Sequence, residues 1–182
     1  MPGPPRFIPG PVTGRAALQV GRSGAVLARL FIGSAKHKVD AKGRVSLPSD
    51  YREVLSFHRC AEEFILVPAG RGDSHLGMTR VAHERLVSRV NQTKYKTPRQ
   101  RQQARRRYIH EARPVSLEDG GRFVLSRELR EELDLEGWVK FVGEGDTFEM
   151  WKPERYEEVH GPEDEEDAEP FEMDLTGLVD IE

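Results

Sequence analysis

Two stretches of the chain, 78 residues apart, repeat the same five features in the same order. The first reads Asp40-Ala41-Lys42-Gly43-Arg44-Val45-Ser46-Leu47-Pro48-Ser49-Asp50-Tyr51-Arg52. The second reads Glu118-Asp119-Gly120-Gly121-Arg122-Phe123-Val124-Leu125-Ser126-Arg127-Glu128-Leu129-Arg130. An acid, a glycine, an arginine, a leucine and a second arginine recur in register. An acid three residues before a glycine is a common turn and means little alone; the ordered recurrence points to one structural unit used twice.

Each copy predicts a definite local structure. Lys36-His37-Lys38-Val39 and Arg44-Val45-Ser46-Leu47 alternate in strand fashion. Asp40 suits the first position of a type I turn, and Gly43 the left-handed position after it, so a hairpin with a G1 bulge is expected. Pro48 then suits the first turn of a helix, where its missing N–H is no loss. Ser126 holds the equivalent place as an N-cap. Tyr51 with Leu55, and Leu129 with Leu133, are spaced for one buried helix face. A second hairpin follows each helix: residues 64–67 with 76–79, and 139–142 with 148–151. Between the copies, a helix is expected over about 81–92 with Leu86 and Val90 inward. Another begins at Thr97-Pro98 and runs to about Ile109.

The ends read differently. Residues 1–29 hold five prolines and five glycines without apolar periodicity, and are expected to be a disordered extension. Their apolar run is too short for a secretory signal. Residues 158–182 are expected to be an acidic disordered tail. The resulting division is an extension over 1–29, a first unit over 30–80, connecting helices over 81–110, a second unit over 111–157, and the tail. Roughly 125 residues remain as candidate globule, enough for a sizeable core. The net charge of −3 conceals strong segregation. Residues 81–113 carry ten Lys/Arg against two acids, and residues 154–182 carry thirteen Asp/Glu against one arginine. Local fields, not the net charge, bear on partners.

No enzyme chemistry stands out. The six histidines show no metal-ligand spacing, and the single cysteine, Cys60, excludes an internal disulfide and a zinc site of its own. Its solitude fits a reducing cytoplasm. His58 lies two positions from Cys60 with no third orienting group in view. Phosphate-binding glycine loops are lacking, as is any apolar run long enough to span a bilayer. No cofactor, membrane or small-molecule substrate is expected. The first turn admits two readings. In one, Arg44 simply pairs with Asp40. In the other, Lys42 and Arg44 project from the tip, with Lys36 and Lys38 behind, into a DNA major groove, where arginine bridges guanine O6 and N7. The basic stretch over 94–113 is either a solvated helix face, a phosphate contact, or a partner for the acidic tail.

Phe31-Ile32-Gly33, the stretch from Val39 to Pro48, and Arg52 closely resemble the opening of MraZ proteins. Gly121-Arg122, Val142-Gly143, Phe148-Glu149-Met150-Trp151 and Tyr156 resemble that family's second half. The resemblance covers about residues 30–158. It implies an α+β fold of tandem AbrB-like swapped-hairpin β-barrel units, forming an intramolecular pseudo-dimer with two connecting helices. It further implies a homo-oligomeric ring and nucleoid association. The expected partner is double-stranded DNA with short G-containing direct repeats, upstream of the chain's own division and cell-wall gene cluster. The family's D-x-x-x-R motif falls on Asp40 and Arg44, with Lys42 inside it, and Arg44 is the first choice for base contact. Gly43, Arg52, Glu118, Gly121 and Arg122 complete the motif positions. In the second copy Gly120 stands where Lys42 stands in the first, so that tip is expected to serve folding and ring contacts more than base reading. Two other readings stay open: an oligomeric protein-binding scaffold, and an antitoxin-type AbrB-like regulator.

Overall fold

The computed structural model describes residues 30–70 and 72–161; the expected extension over 1–29 and all of the tail after residue 161 lie outside this range. The first repeat supplies β1 (Ser34–Lys38), β2 (Arg44–Ser46), α1 (Ser49–Phe57), β3 (Glu63–Pro68) and β4 (Ser74–Met78). Helices α2 (Arg80–Gln92) and α3 (Pro98–Arg105) follow, the latter running into a π-helical turn at Arg106–His110. The second repeat supplies β5 (Arg113–Ser116), β6 (Arg122–Val124), α4 (Arg127–Glu132), β7 (Trp138–Gly143), β8 (Thr147–Trp151) and α5 (Pro153–His160). The fold is α+β, and every strand pairing is antiparallel.

Strand pairing crosses between the repeats. A six-stranded sheet runs β1-β7-β8-β4-β3-β5, and β2 pairs with β6 in a separate two-stranded ribbon. The registers are reciprocal. Ala35 of β1 faces Phe141 of β7, and Arg113 of β5, 78 positions on, faces Leu66 of β3. In the ribbon Val45 faces Phe123, its own counterpart. Leu125 N donates to Gly43 O at 2.8 Å, and Leu47 N donates to Gly121 O at 2.9 Å. Neither repeat completes a sheet without the other.

This corrects two expectations. The first hairpin of each copy closes only at its turn. Asp40 N donates to Arg44 O at 3.0 Å, and Glu118 N to Arg122 O at 2.6 Å. Beyond that point the backbone groups of β2 are taken by β6, so β1 leaves for β7. Nor do the units close into barrels, since among the described residues the large sheet ends on β1 and β5.

The ribbon and helix α1 cover one face of the sheet. Phe64, Leu66, Phe141, Phe148 and Met150 point inward to meet Val45, Leu47, Phe123, Leu125, Tyr51 and Leu55. The rings meet mostly edge-on, as between Phe64 and Phe123 at 5.1 Å and Phe31 and Tyr51 at 5.3 Å. Such pairs add to the area they bury. Tyr51 keeps its hydroxyl satisfied by donating to Gly33 O at 2.9 Å. As expected, Tyr51, Leu55, Leu129 and Leu133 are all buried. Pro48 stands one position ahead of helix α1, at the N-cap.

Strand β3 is apolar on both sides because both faces are covered. Phe64 and Leu66 enter the main core, whereas Ile65 and Val67 meet Leu86 of α2 and Tyr108 of the π-turn on the outer face. Thr79 caps α2 by accepting from Ala82 N at 3.1 Å, and Thr97 caps α3 by accepting from Gln100 N at 3.2 Å. The expected second helix therefore starts where predicted but changes pitch after Arg105. His83 Nε2 lies 2.9 Å from Tyr108 O and ties the two helices. Helix α5 was not expected. It crosses the outer face at the other end of the sheet, where Trp151 meets Tyr156 at 5.7 Å and His160 at 5.4 Å, and Lys140 Nζ lies 4.0 Å over the Tyr156 ring. No helix among the described residues is long and apolar enough to cross a membrane.

Candidate nucleic-acid interface

The ribbon's two faces have opposite characters. Val45 and Phe123 are buried, whereas Arg44, Ser46, Arg122 and Val124 point outward and are exposed. Arg44 lies opposite Val124, and Ser46 opposite Arg122. The two arginines therefore sit diagonally on one surface, separated by about 7–8 Å as diagonal neighbours in an antiparallel pair. Val124 is an apolar side chain left 50% exposed between them.

The turn before β2 fixes Arg44. Gly43 N donates to Asp40 O at 2.9 Å, and Gly43 has φ +82°. That is a type I turn followed by a left-handed residue, as expected. Glycine is required twice over, since a Cβ there would lie 2.6 Å from Leu125 O. The Asp40 carboxylate collects three donors: Lys42 N at 2.8 Å, Arg44 N at 2.9 Å and Arg44 Nε at 2.8 Å. The Arg44 amide, then its guanidinium, hold that carboxyl below the ordinary range for aspartate. In return Asp40 raises the arginine further, helped through space by Glu118. The pairing of Arg44 with Asp40 is thus real, but it uses only Nε. The two terminal nitrogens of Arg44 have no partner among the described residues, and the side chain is 43% exposed.

The second turn differs in type. Gly121 N donates to Glu118 O at 3.0 Å, but here Gly120 (φ +82°) and Gly121 (φ +74°) are both left-handed. A left-handed residue at the third turn position is what a type II turn demands, and glycine meets it. Lys42, at the same place in the first copy, is not left-handed. The missing cation at the second tip follows from turn chemistry. Each turn is also gripped by the other repeat. Arg52 lies across Gly121, where a Cβ would come within 2.0 Å of its Cδ, and its Nη1 donates to Gly120 O at 3.3 Å. Arg130, 78 positions on, lies across Gly43 with Nε 3.2 Å from where a Cβ would stand.

The structure brings Asp40, Lys42, Gly43 and Arg44 to one end of the ribbon, and Glu118, Gly121 and Arg122 to the other, with Arg52 beneath. Lys36 and Lys38 do not join them. His37 Nδ1 lies 2.5 Å from Ser46 O, so β2 passes on the His37 side of β1. The alternating Lys36 and Lys38 point to the opposite side, where Lys36 Nζ sits 5.6 Å over the Trp138 ring. Sequence reasoning named Arg122 for its motif position alone, and passed over Val124 and the bracing role of Arg130. Their signal was the 78-residue register, which becomes informative only once β2 is known to pair with β6.

The chain is similar to curated proteins from several bacteria. It is 32% identical to the transcriptional regulator MraZ of Ruegeria sp. (strain TM1040) over 163 residues, spanning 85% of this chain and 97% of that protein. The chain belongs to the MraZ family. It is 31% identical to the transcriptional regulator MraZ of Ruegeria pomeroyi, covering 85% of this chain and 97% of the relative, and 29% identical to that of Alcanivorax borkumensis, covering 72% and 89%. No family model matches the sequence. The aligned relatives are named regulators and not enzymes. Among the described residues no group of His, Cys, Asp and Glu is arranged to hold a metal ion.

Proposed function

We propose that this MraZ-family protein is a sequence-specific DNA-binding transcriptional regulator, and that the outer face of the β2–β6 ribbon enters the major groove. A two-stranded ribbon has the width that groove admits. One observation carries the assignment: Asp40 clamps Arg44 through Nε while the two terminal nitrogens stay outward and unpaired. A guanidinium so held loses little freedom when both nitrogens engage guanine O6 and N7. Lys42 then meets backbone phosphate from the tip. Arg122 and the exposed Val124 lie on the same surface, the latter suited to a thymine methyl group. Lys36 and Lys38 take backbone contacts from a different side of β1.

The interleaved pairing is read here as the swapped-hairpin pseudo-dimer of AbrB-like proteins, with the first unit over 30–80 and the second over 111–157. The target is the chain's own upstream region in the division and cell-wall gene cluster, read as short G-containing direct repeats by a homo-oligomeric ring, in the cytoplasm at the nucleoid. One ribbon covers only a few bases and binds weakly. Engaging several repeats at once raises the effective affinity by about 10²–10⁴ where geometry permits. The test is binding to upstream DNA carrying four repeats or one, at matched salt. Tighter binding to four repeats, with affinity falling steeply as salt rises, supports the reading. Equal affinities would remove the ring mechanism, and indifference to salt would remove DNA as the ligand.

A further inference from the structure

The most basic surface of the described chain lies away from the ribbon. Helix α2 and the π-turn cover the outer face of β3 and β4, with α3 leading into that turn, while the ribbon covers the inner face. A duplex on the ribbon therefore leaves these cations unneutralised. Arg105 donates to Asn91 Oδ1 at 2.7 Å, and Arg106 pairs with Glu111 at 2.8 Å. Lys94, Lys96, Arg99, Arg101 and Arg107 have no carboxylate partner among the described residues. Lys96, Arg101, Arg105 and His110 line a cleft of about 500 Å³ together with Tyr95 and Asn91. Such a concentration of one sign attracts a polyanion.

Helix α5 lies on the same outer face and ends at His160, with Gly161 as its C-cap. The residues after it, 162–182, hold ten Asp/Glu and no Lys or Arg. Twenty-one residues reach up to roughly 70 Å when extended, more than enough to pass from β8 to the helices over β3 and β4. We propose that residues 162–182 occupy the basic surface of α2 and α3 in their own chain, and so prevent that surface from holding nucleic acid without regard to sequence. The acidic segment acts as an internal competitor for phosphate. It leaves DNA one route onto the protein, the ribbon.

The test needs no operator, so its outcome is separate from the role of Arg44. Equal amounts of ¹⁵N-labelled and unlabelled full-length chain are unfolded together and refolded, so that any oligomer carries both labels, then treated with a zero-length carbodiimide at low salt and digested for mass spectrometry. The expected products join Lys94 or Lys96 to an acid between 163 and 174, with both peptides from one isotopic pool. Mixed-isotope products would make the occupant a second subunit, and products lacking either lysine would leave the surface open; each overturns the proposal. A second variant neutralises the tail in the full-length chain: Glu163→Gln, Asp164→Asn, Glu165→Gln, Glu166→Gln, Asp167→Asn and Glu169→Gln. Affinity for a random-sequence duplex should rise about tenfold or more, with a steeper salt dependence. Adding Arg99→Gln and Arg101→Gln should cancel that gain. Unchanged binding of random duplex by the neutralised chain would contradict the mechanism.

Discussion

Gly43→Ala isolates the contact that fixes the first turn against the second repeat. Alanine at φ +82° bears a left-handed cost of roughly 1–2 kcal/mol. It regains about 0.4–1 kcal/mol because the unfolded chain is stiffer. Gly145 has the same φ of +82° with open space around its Cα, so Gly145→Ala carries both of these terms and nothing more. Subtracting one variant from the other leaves the close approach. The new methyl at residue 43 would lie 2.6 Å from Leu125 O, a backbone atom that cannot swing aside. To make room the ribbon must part, and the 2.8 Å bond from Leu125 N to Gly43 O is the first lost. Leaving those groups unsatisfied costs about 1–3 kcal/mol. Gly43→Ala should therefore destabilise by about 1–3 kcal/mol more than Gly145→Ala, which lowers the melting midpoint by roughly a further 3–10 °C. Calorimetry of both variants at equal protein concentration measures it, since oligomers melt in a concentration-dependent way. Equal losses of stability in the two variants would show that the turn does not bear on β6, and the reciprocal architecture would be wrong at its centre.

Asp40→Asn keeps an oxygen for the two turn amides but removes the charge that holds Arg44 Nε. The ratio of operator to random-duplex affinity should fall, while random-duplex affinity rises slightly as a negative charge leaves the interface; an unchanged ratio in competition binding would deny Asp40 its positioning role. His75 gives a stability effect that depends on pH. Burial pushes its pKa below the ordinary value, against the pull of Glu132 3.4 Å away, and Arg113 lowers it further. The unfolded chain then binds the proton more readily, so stability is present above the usual histidine pKa and is lost as pH falls below about 6.5. Urea midpoints between pH 7.5 and 5 should decline more for the natural chain than for His75→Gln, and parallel declines would refute the assignment.

Local chemistry was legible in the sequence to a considerable depth. The turn at 40–44, the caps at Thr97 and Ser126, and the buried pairs Tyr51–Leu55 and Leu129–Leu133 each follow from residue types within a few positions of one another. Pairing across the repeats was not legible in the residues themselves and was implied only by the family resemblance. Whether β1 turns back on β2 or leaves for β7 depends on groups more than a hundred residues away, and alternation looks the same in either case. Lys36 and Lys38 were grouped with Arg44 on the assumption of a continuous hairpin. Once His37 faces Ser46, they must point elsewhere. Helix α5 escaped notice because its acidic composition resembles that of the segment after it, and its support comes from Lys140 and Trp151.

The role assigned to Arg44 is tested most directly by comparing Arg44→Ala with Arg127→Ala on DNA from upstream of the gene. Arg127 is also exposed and also paired, with Glu131 at 2.7 Å, but it lies on α4 and not on the ribbon. Losing a bidentate guanine contact should weaken operator binding about 5- to 150-fold and flatten the preference at one base pair in each repeat. Arg127→Ala should bind the operator as the natural chain does. Undiminished operator affinity in Arg44→Ala, measured at the same salt, would contradict the account.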